Sequence, residues 1–185
     1  MARGDTRRGP MDFYSGKMNE EDLFGKFRPS KKYIEAHESM ANADGYVMRD
    51  VAIEIIRKYS NQDPSNPTQP FAKELRLAVM DELSLETDQE MNRLKFYTAV
   101  GTSADVFHGI DGWFEYVDDD GVRVIVTIDV TKNPKKDEWK ADVIIPEVAD
   151  PEEDETKFLE ETERYAKEIV KQFEVKMSVI DAKTA

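Results

Sequence analysis

The chain contains no cysteine, which removes a disulfide scaffold, a thiolate metal site, a cysteine nucleophile and an iron–sulfur cluster held by its own thiolates. Histidine is almost as scarce, with only His37 and His108. A Ser–His–Asp triad would need one of them, and neither stands beside a nucleophile motif such as G-x-S-x-G. There is no G-x-x-x-x-G-K-[ST] phosphate loop and no G-x-G-x-x-G turn, so P-loop nucleotide hydrolysis and Rossmann dinucleotide binding have no carrier. Apolar runs fall well short of the roughly 18 to 20 residues of a membrane span, and the opening MARGDTRRGP has no apolar stretch behind its arginines. A soluble, unsecreted, cytoplasmic protein with no membrane partner is expected. Glycine and proline number only nine and eight in 185 residues, so most of the chain should fold. That length suits one domain with appendages.

Acid is what the chain has in abundance. It carries 39 Asp and Glu against 26 Lys and Arg, a net charge of −13, the wrong sign for non-specific coating of nucleic acid. The charge is unevenly placed. Residues 1–33 hold eight basic side chains against five acidic ones, whereas residues 101–185 hold 22 acids against 11 bases. A basic arm ahead of an acidic body could touch a phosphate backbone, or pair with acidic surface on its own chain or on a partner.

Residues 1–30 show no sustained period and scatter Phe13, Tyr14, Leu23, Phe24 and Phe27 among glycines and prolines. This predicts an extended arm with aromatic anchors, followed by a single domain over 31–185. Ser30 suits the N-cap of a helix carrying Tyr33, Ile34, His37 and Met40 at helical spacing. After a break at 42–45, residues Val51, Ala52, Ile55, Ile56 and Tyr59 repeat as a second amphipathic helix, giving a helical region over 31–59. Three prolines make 60–70 a loop. Phe71, Leu75, Val79 and Leu83 mark a third helix, and Thr87 to Glu90 reads as a capping box opening a short fourth, together spanning 71–95.

The period then changes. Segments 96–100, 106–117, 122–130 and 141–148 are rich in β-branched and aromatic residues, placing a sheet over 96–148. The run Asp118-Asp119-Asp120-Gly121 predicts a hairpin between the second and third strands. It lacks the spacing of an EF-hand and reads as a solvated turn. Beyond Pro151 an apolar stripe including Phe158, Tyr165, Ile169 and Phe173 predicts a helix over 152–177, its acidic first turn suited to the positive end of the dipole. The plan is α+β with a three-layer α/β/α tendency, a mixed sheet of about four strands flanked by helices.

The chemically informative stretch is 108–136. Alternation puts Val122, Val124, Val126, Ile128 and Val130 on one face of a strand and Arg123, Ile125, Thr127, Asp129 and Thr131 on the other. Asp129 therefore interrupts a strand that should be well buried, where an unpaired charge is costly. Across the hairpin, residues whose numbers sum to about 239 to 241 face each other, which sets Asp111 opposite Asp129. Gly109 and Gly112 beside Asp111 let the backbone bend and approach closely. Two carboxylates on neighbouring strands repel unless a proton or a cation lies between them, and a hard cation such as Mg2+ suits them. On the intervening strand, alternation predicts Trp113 half-exposed, with Phe114 and Tyr116 in the core. The other reading of these three rings is a platform for stacking bases.

An Asp near the bend of one strand, a hairpin, and an acid near the end of the next strand with lysine close by resemble the PD-(D/E)XK nuclease superfamily over about residues 94–148. The resemblance implies a restriction-endonuclease-like fold, with the helix at 71–84 as its first core helix. It implies Mg2+- or Mn2+-dependent hydrolysis of DNA phosphodiester bonds, the metal held by Asp111, Asp129 and the main-chain carbonyl of Val130. It also implies an accessory Glu on the first helix, for which Glu74 and Glu82 are candidates. The sequence departs from the D-x-K pattern, since Thr131 stands at the lysine position and Lys132 one residue beyond. Lys132 would reach the site through a bulge, Lys135, Lys136 or Lys140 from the following loop, and Thr131 could hold a water. His108 is either an outer or substrate-binding group of such a site or a strand histidine satisfied by backbone. A small, highly charged, cysteine-free chain suits a phage or mobile element.

The rival expectation is an inactive nuclease-fold interaction or structural protein. It would bind a protein partner through its acidic body and N-terminal arm, or lend the arm to a second protomer.

Overall fold

The computed structural model describes residues 20–131 and 140–184. Its elements are α1 (Lys31–Met40), α2 (Arg49–Tyr59), α3 (Pro70–Glu82), α4 (Asp88–Met91), β1 (Leu94–Thr98), α5 (Ser103–His108), β2 (Gly112–Val117), β3 (Arg123–Val130), β4 (Val143–Ile145) and α6 (Glu155–Thr184). Among the described residues no helix is long and apolar enough to cross a membrane.

Local chemistry accounts for the helix boundaries. Ser30 Oγ accepts the Tyr33 N–H at 3.0 Å and donates to the Tyr59 carbonyl at 2.8 Å, capping α1 while tying it to the end of α2. Between these helices Asn42 Oδ1 accepts from Asp44 N–H and Tyr46 N–H, an Asx turn that closes the break at 42–45. The helical region expected over 71–95 divides in two. The first part, α3, ends at Glu82, and the reciprocal capping box of Thr87 and Glu90 then opens α4. Residues 94 and 95 already belong to β1. The last helix starts three residues later and runs further than expected. Its entry is set by Asp154, whose Oδ1 accepts the Lys157 N–H, so Glu152 and Glu153 lie in the turn ahead of it.

The sheet runs in the order β1-β2-β3-β4, antiparallel across its first three strands, with β4 parallel to β3. The fold is mixed α+β, with helices flanking both faces of this sheet. On one face Phe96, Phe114, Val124, Val126, Ile128, Val130, Val143 and Ile145 pack with Phe71, Leu75 and Val79 of α3 and with Tyr165, Ile169 and Phe173 of α6. On the other, Tyr97 and Trp113 pack with Ile53, Ile55 and Ile56 of α2 and with Tyr33. Trp113, expected half-exposed, is fully buried, because α2 covers the face that strand alternation leaves for solvent. Leu23 and Phe24 join the first core and Phe27 the second. Of the expected arm, residues 1–19, including Phe13 and Tyr14, lie outside the described residues.

One expected strand is partly helix. Residues 106–108 belong to α5, which Thr102 opens by accepting the Ala104 N–H and Gly109 closes in the left-handed conformation at φ 58. Cap chemistry at both ends outweighs the β propensity of Val106 and Phe107.

β4 pairs only with the end of β3, from Ile128 to Val130. Alongside the preceding stretch, Asp142 and Lys176 stand in for a strand. Thr127 donates its N–H and its hydroxyl to Asp142 Oδ2 at 2.7 and 2.8 Å, and Lys176 Nζ donates to that oxygen and to the Ile125 carbonyl, protecting an edge open to mispairing. Burial alone would raise the Asp142 carboxyl, but the Lys176 and Thr127 hydrogen bonds and the Lys176 charge outweigh it and hold the group below the usual carboxylate range. A depressed folded pKa stabilises the fold above the unfolded value of about 3.9 and is lost as pH falls through the folded value. Asp142→Asn is expected to cost about 1.5 to 3 kcal/mol at neutral pH and to flatten the loss of stability below about pH 4. Urea unfolding at neutral and acid pH reads this, and an unchanged acid slope would remove Asp142 as its source.

Candidate metal centre

The β2–β3 turn positions the first pair of carboxylates. Asp118 Oδ1 accepts the N–H groups of Asp120 and Val122, and Gly121 takes φ 80. This turn sets Gly112 opposite Ile128 and Trp113 opposite Thr127, and the next step of the register brings Asp111 beside Asp129. The ladder extends past the strand end, since the Asp111 N–H donates to the Ile128 carbonyl at 2.9 Å and its own carbonyl accepts from Ala99. Gly112 is required here, because a Cβ would stand 2.9 Å from the Tyr97 carbonyl oxygen. Asp111 and Asp129 are both buried, at 2% and 4% exposure.

Two further carboxylates converge on Asp111 from other segments. Asp105 comes from α5, where its Oδ2 accepts the Gly101 N–H at 2.7 Å. Glu20 comes from a helical turn at residues 20–24. One carboxylate oxygen from each of Glu20, Asp105 and Asp111 lies within 4.8 Å of the other two. Asp129 contributes charge from the adjoining strand. Burial, and next the Glu20 charge, push the Asp111 carboxyl up to about 9; the Val130 N–H, donating to Asp111 Oδ2 at 2.6 Å, opposes this, and Asp105 and Asp129 add to the rise. An Asp111 carboxyl so placed favours the protonated form unless a cation lies beside it.

The donor set fits a hard divalent ion. Oxygens sharing an octahedral ion at about 2.1 Å stand roughly 3 Å apart when adjacent and about 4.2 Å apart when opposite. The triad's oxygens lie within 4.8 Å of one another, and every donor is a carboxylate oxygen, the ligand type of hard divalent ions rather than of softer metals.

The remaining sequence-predicted residues lie as follows. Val130 turns its side chain into the first core and gives its N–H to Asp111. Thr131 is half-buried, its N–H donating to the Ile145 carbonyl. Lys132, Lys135 and Lys136 lie outside the described residues. Lys140 Nζ stands 3.4 Å from the Phe107 carbonyl, next to the helix that carries Asp105. His108 is satisfied by backbone, its Nε2 bonded to the Val47 carbonyl at 2.8 Å, though from the end of α5 rather than from a strand. Glu74 and Glu82 are not brought to this site. They line a groove between α3 and α6 with Leu159 and Glu163, over the opposite face of the sheet. Arg123, at the far end of β3, pairs with Glu54 at 2.9 Å and lies 3.9 Å from Glu115. A cleft of about 260 Å3 beside β1, lined by Arg28, Gln62, Asp63, Tyr97 and Thr98, is separate from the carboxylates.

Sequence reasoning missed Glu20 and Asp105. Asp105 had a detectable signal, because Thr102 and Gly109 frame a short helix with an acid in its first turn. Glu20 had none, since nothing local distinguishes it from Glu21 or Asp22. Comparison with known proteins found no match to this chain among family models, curated proteins or solved structures.

Proposed function

We propose that this protein is a divalent-cation-dependent phosphodiesterase acting on DNA, a nuclease of the PD-(D/E)XK type centred on Asp111. The observation that carries the reading is the convergence of Glu20, Asp105 and Asp111 within 4.8 Å at the sheet end where Asp129 faces Asp111. The mixed four-stranded sheet flanked by helices supports the restriction-endonuclease-like part of the reading. Mg2+ or Mn2+ bound there would supply positive charge to the scissile phosphate and acidity to the attacking water. The chain's own part is to gather the carboxylates. Val130 N–H holds one Asp111 oxygen and Gly101 N–H holds one oxygen of Asp105. Lys140, on the rim, is placed to meet the backbone of the nucleic acid, the role that Thr131 cannot fill with charge.

The second reading is the inactive interaction protein. It is favoured by the near-complete burial of Asp111 and by the net charge of −13. Calorimetric titration of Mn2+ and Mg2+ into the parent and into Asp111→Asn, followed by incubation with linear and circular DNA, separates the two. The nuclease reading expects binding and cutting in the parent and a loss of each by more than about 100-fold in the variant, beyond what loss of an outer-shell partner costs. Neither binding nor cutting in the parent would establish the interaction protein instead.

A further inference from the structure

We infer that the basic, aromatic stretch at residues 7–17 docks in the acid-rimmed groove between α3 and α6, with Phe13 and Tyr14 against its apolar lining. The inference stands apart from the phosphodiesterase reading and draws on none of the carboxylates around Asp111. The groove encloses about 600 Å3. Leu77 of α3 and Leu159 of α6 line it and are each 44% exposed, and Leu85 and Met91 extend the apolar lining. Both helices add acid: Glu74 and Asp81 come from α3 and Glu163 from α6. Glu82 is paired with Lys167 at 3.8 Å, whereas among the described residues no cation pairs with the other three. No lysine or arginine lines this groove. The hollows along α6 at Lys167 and Lys171, and beside β3 at Arg123 and Lys176, are lined by such side chains and offer a basic segment less attraction.

The chain itself carries the complementary segment. Residues 1–19 hold four basic side chains, Arg3, Arg7, Arg8 and Lys17, against Asp5 and Asp12. Arg7, Arg8 and Lys17 bracket Met11, Phe13 and Tyr14, so apolar side chains flanked by cations meet an apolar lining flanked by carboxylates. The segment is also within reach. Asp22 and Leu23 share a hollow with Pro70 and Phe71 at the start of α3 and with Phe158 of α6. The groove lies further along the same two helices, with Ala78 seven residues, or about 10 Å, beyond Phe71. The six residues from Tyr14 to Glu20 span up to about 20 Å when extended. A tether this short holds the segment at an effective concentration on the order of millimolar. Exposed ion pairs are individually weak, and with two rings buried alongside them they suffice at that concentration. A separate molecule lacks this advantage, which is why the occupant is the chain's own arm.

The chain has no cysteine, so one introduced cysteine takes a nitroxide label at a chosen place. Glu160→Cys puts the label on α6 next to Leu159, and Val175→Cys puts it fifteen residues, or about 22 Å, further along the same helix. The measurement is the broadening of the Phe13, Tyr14 and Lys17 amide signals in isotope-labelled full-length protein, with the nitroxide oxidised and then reduced. The label beside the groove is expected to lower these intensities at least about two-fold more than the distal label, as for a docked population above about one half. Arg7→Glu with Arg8→Glu is expected to abolish the difference, and so is Glu74→Lys with Asp81→Lys and Glu163→Lys. Combining the two sets is expected to restore it, which guards against a variant that has merely misfolded. Equal broadening from both labels, a difference that survives either reversal, or no recovery in the combined variant would overturn the inference. Broadening of isotope-labelled protein by a nitroxide carried on a second copy, falling on dilution, would assign the groove to a neighbouring molecule and overturn it as well.

Discussion

Millimolar Mn2+ is expected to raise the thermal unfolding midpoint of the parent protein and to leave that of Asp111→Asn where it stood. A ligand that binds only the folded state stabilises it by about 2.7 kcal/mol at 100 times its Kd. For a chain of this length that is a rise of roughly 5 to 10 °C. Asn is nearly isosteric with Asp and keeps an oxygen to accept the Val130 N–H, so the variant retains the contact that holds residue 111 to β3. It loses one of the three carboxylates that would hold the ion together with Glu20 and Asp105. Without metal near neutral pH, Asp111→Asn is expected to be about as stable as the parent, since a carboxyl pushed up to about 9 by burial is already largely protonated there and the amide replaces a neutral group. Differential scanning calorimetry with and without Mn2+ on both proteins is the measurement. Equal shifts in the two would place any bound metal elsewhere and remove Asp111 from the proposed centre.

Trp113→Ala is expected to cost about 3 to 5 kcal/mol, the largest effect of any single substitution on the second face of the sheet. The indole is fully buried, stacked on Tyr97 with centroids 5.0 Å apart and an interplanar angle of 16°. Truncation would leave a cavity between β2 and α2 that the strands, tied by their ladder, cannot close. Among the described residues Trp113 Nε1 has no hydrogen-bond partner, so the ring contributes through its area and packing. Trp113→Phe is accordingly expected to lose far less, giving up volume while removing a buried unpaired donor. Only Gly112 separates Trp113 from Asp111, and both side chains share one sheet face. The alanine variant should therefore also weaken metal binding by loosening the floor under the carboxylates. Urea unfolding of both variants decides the matter, and a cost for Trp113→Ala under about 1 kcal/mol would show that this face is not close-packed.

Features that depend on a few neighbouring residues were legible in the sequence. Ser30, the Thr87–Glu90 box and the turn at 118–121 act within three or four residues, and the hairpin turn then propagates its register to the far end of both strands. That is why Asp111 could be set opposite Asp129 before any coordinates. The readings that needed correction involved competition between local preferences or cover from a distant element. Val106 and Phe107 favour a strand, but Thr102 and Gly109 cap a helix around them. Trp113 alternates with core positions, yet α2, more than 50 residues earlier, buries it.

By itself, then, the sequence determined which chemistries have no carrier, where helices begin, and that one hairpin pairs two carboxylates. Tertiary structure alone decided that Glu20 and Asp105 join Asp111. The reason is main-chain pairing between segments remote in sequence. Phe27 N–H donates to the Val100 carbonyl and Thr98 Oγ1 to the Gly25 carbonyl, fastening residues 25–27 along the end of β1 and carrying the turn with Glu20 toward the sheet end. Local pattern cannot encode such a crossing, because its position depends on hydrogen bonds and burial shared by residues 73 positions apart.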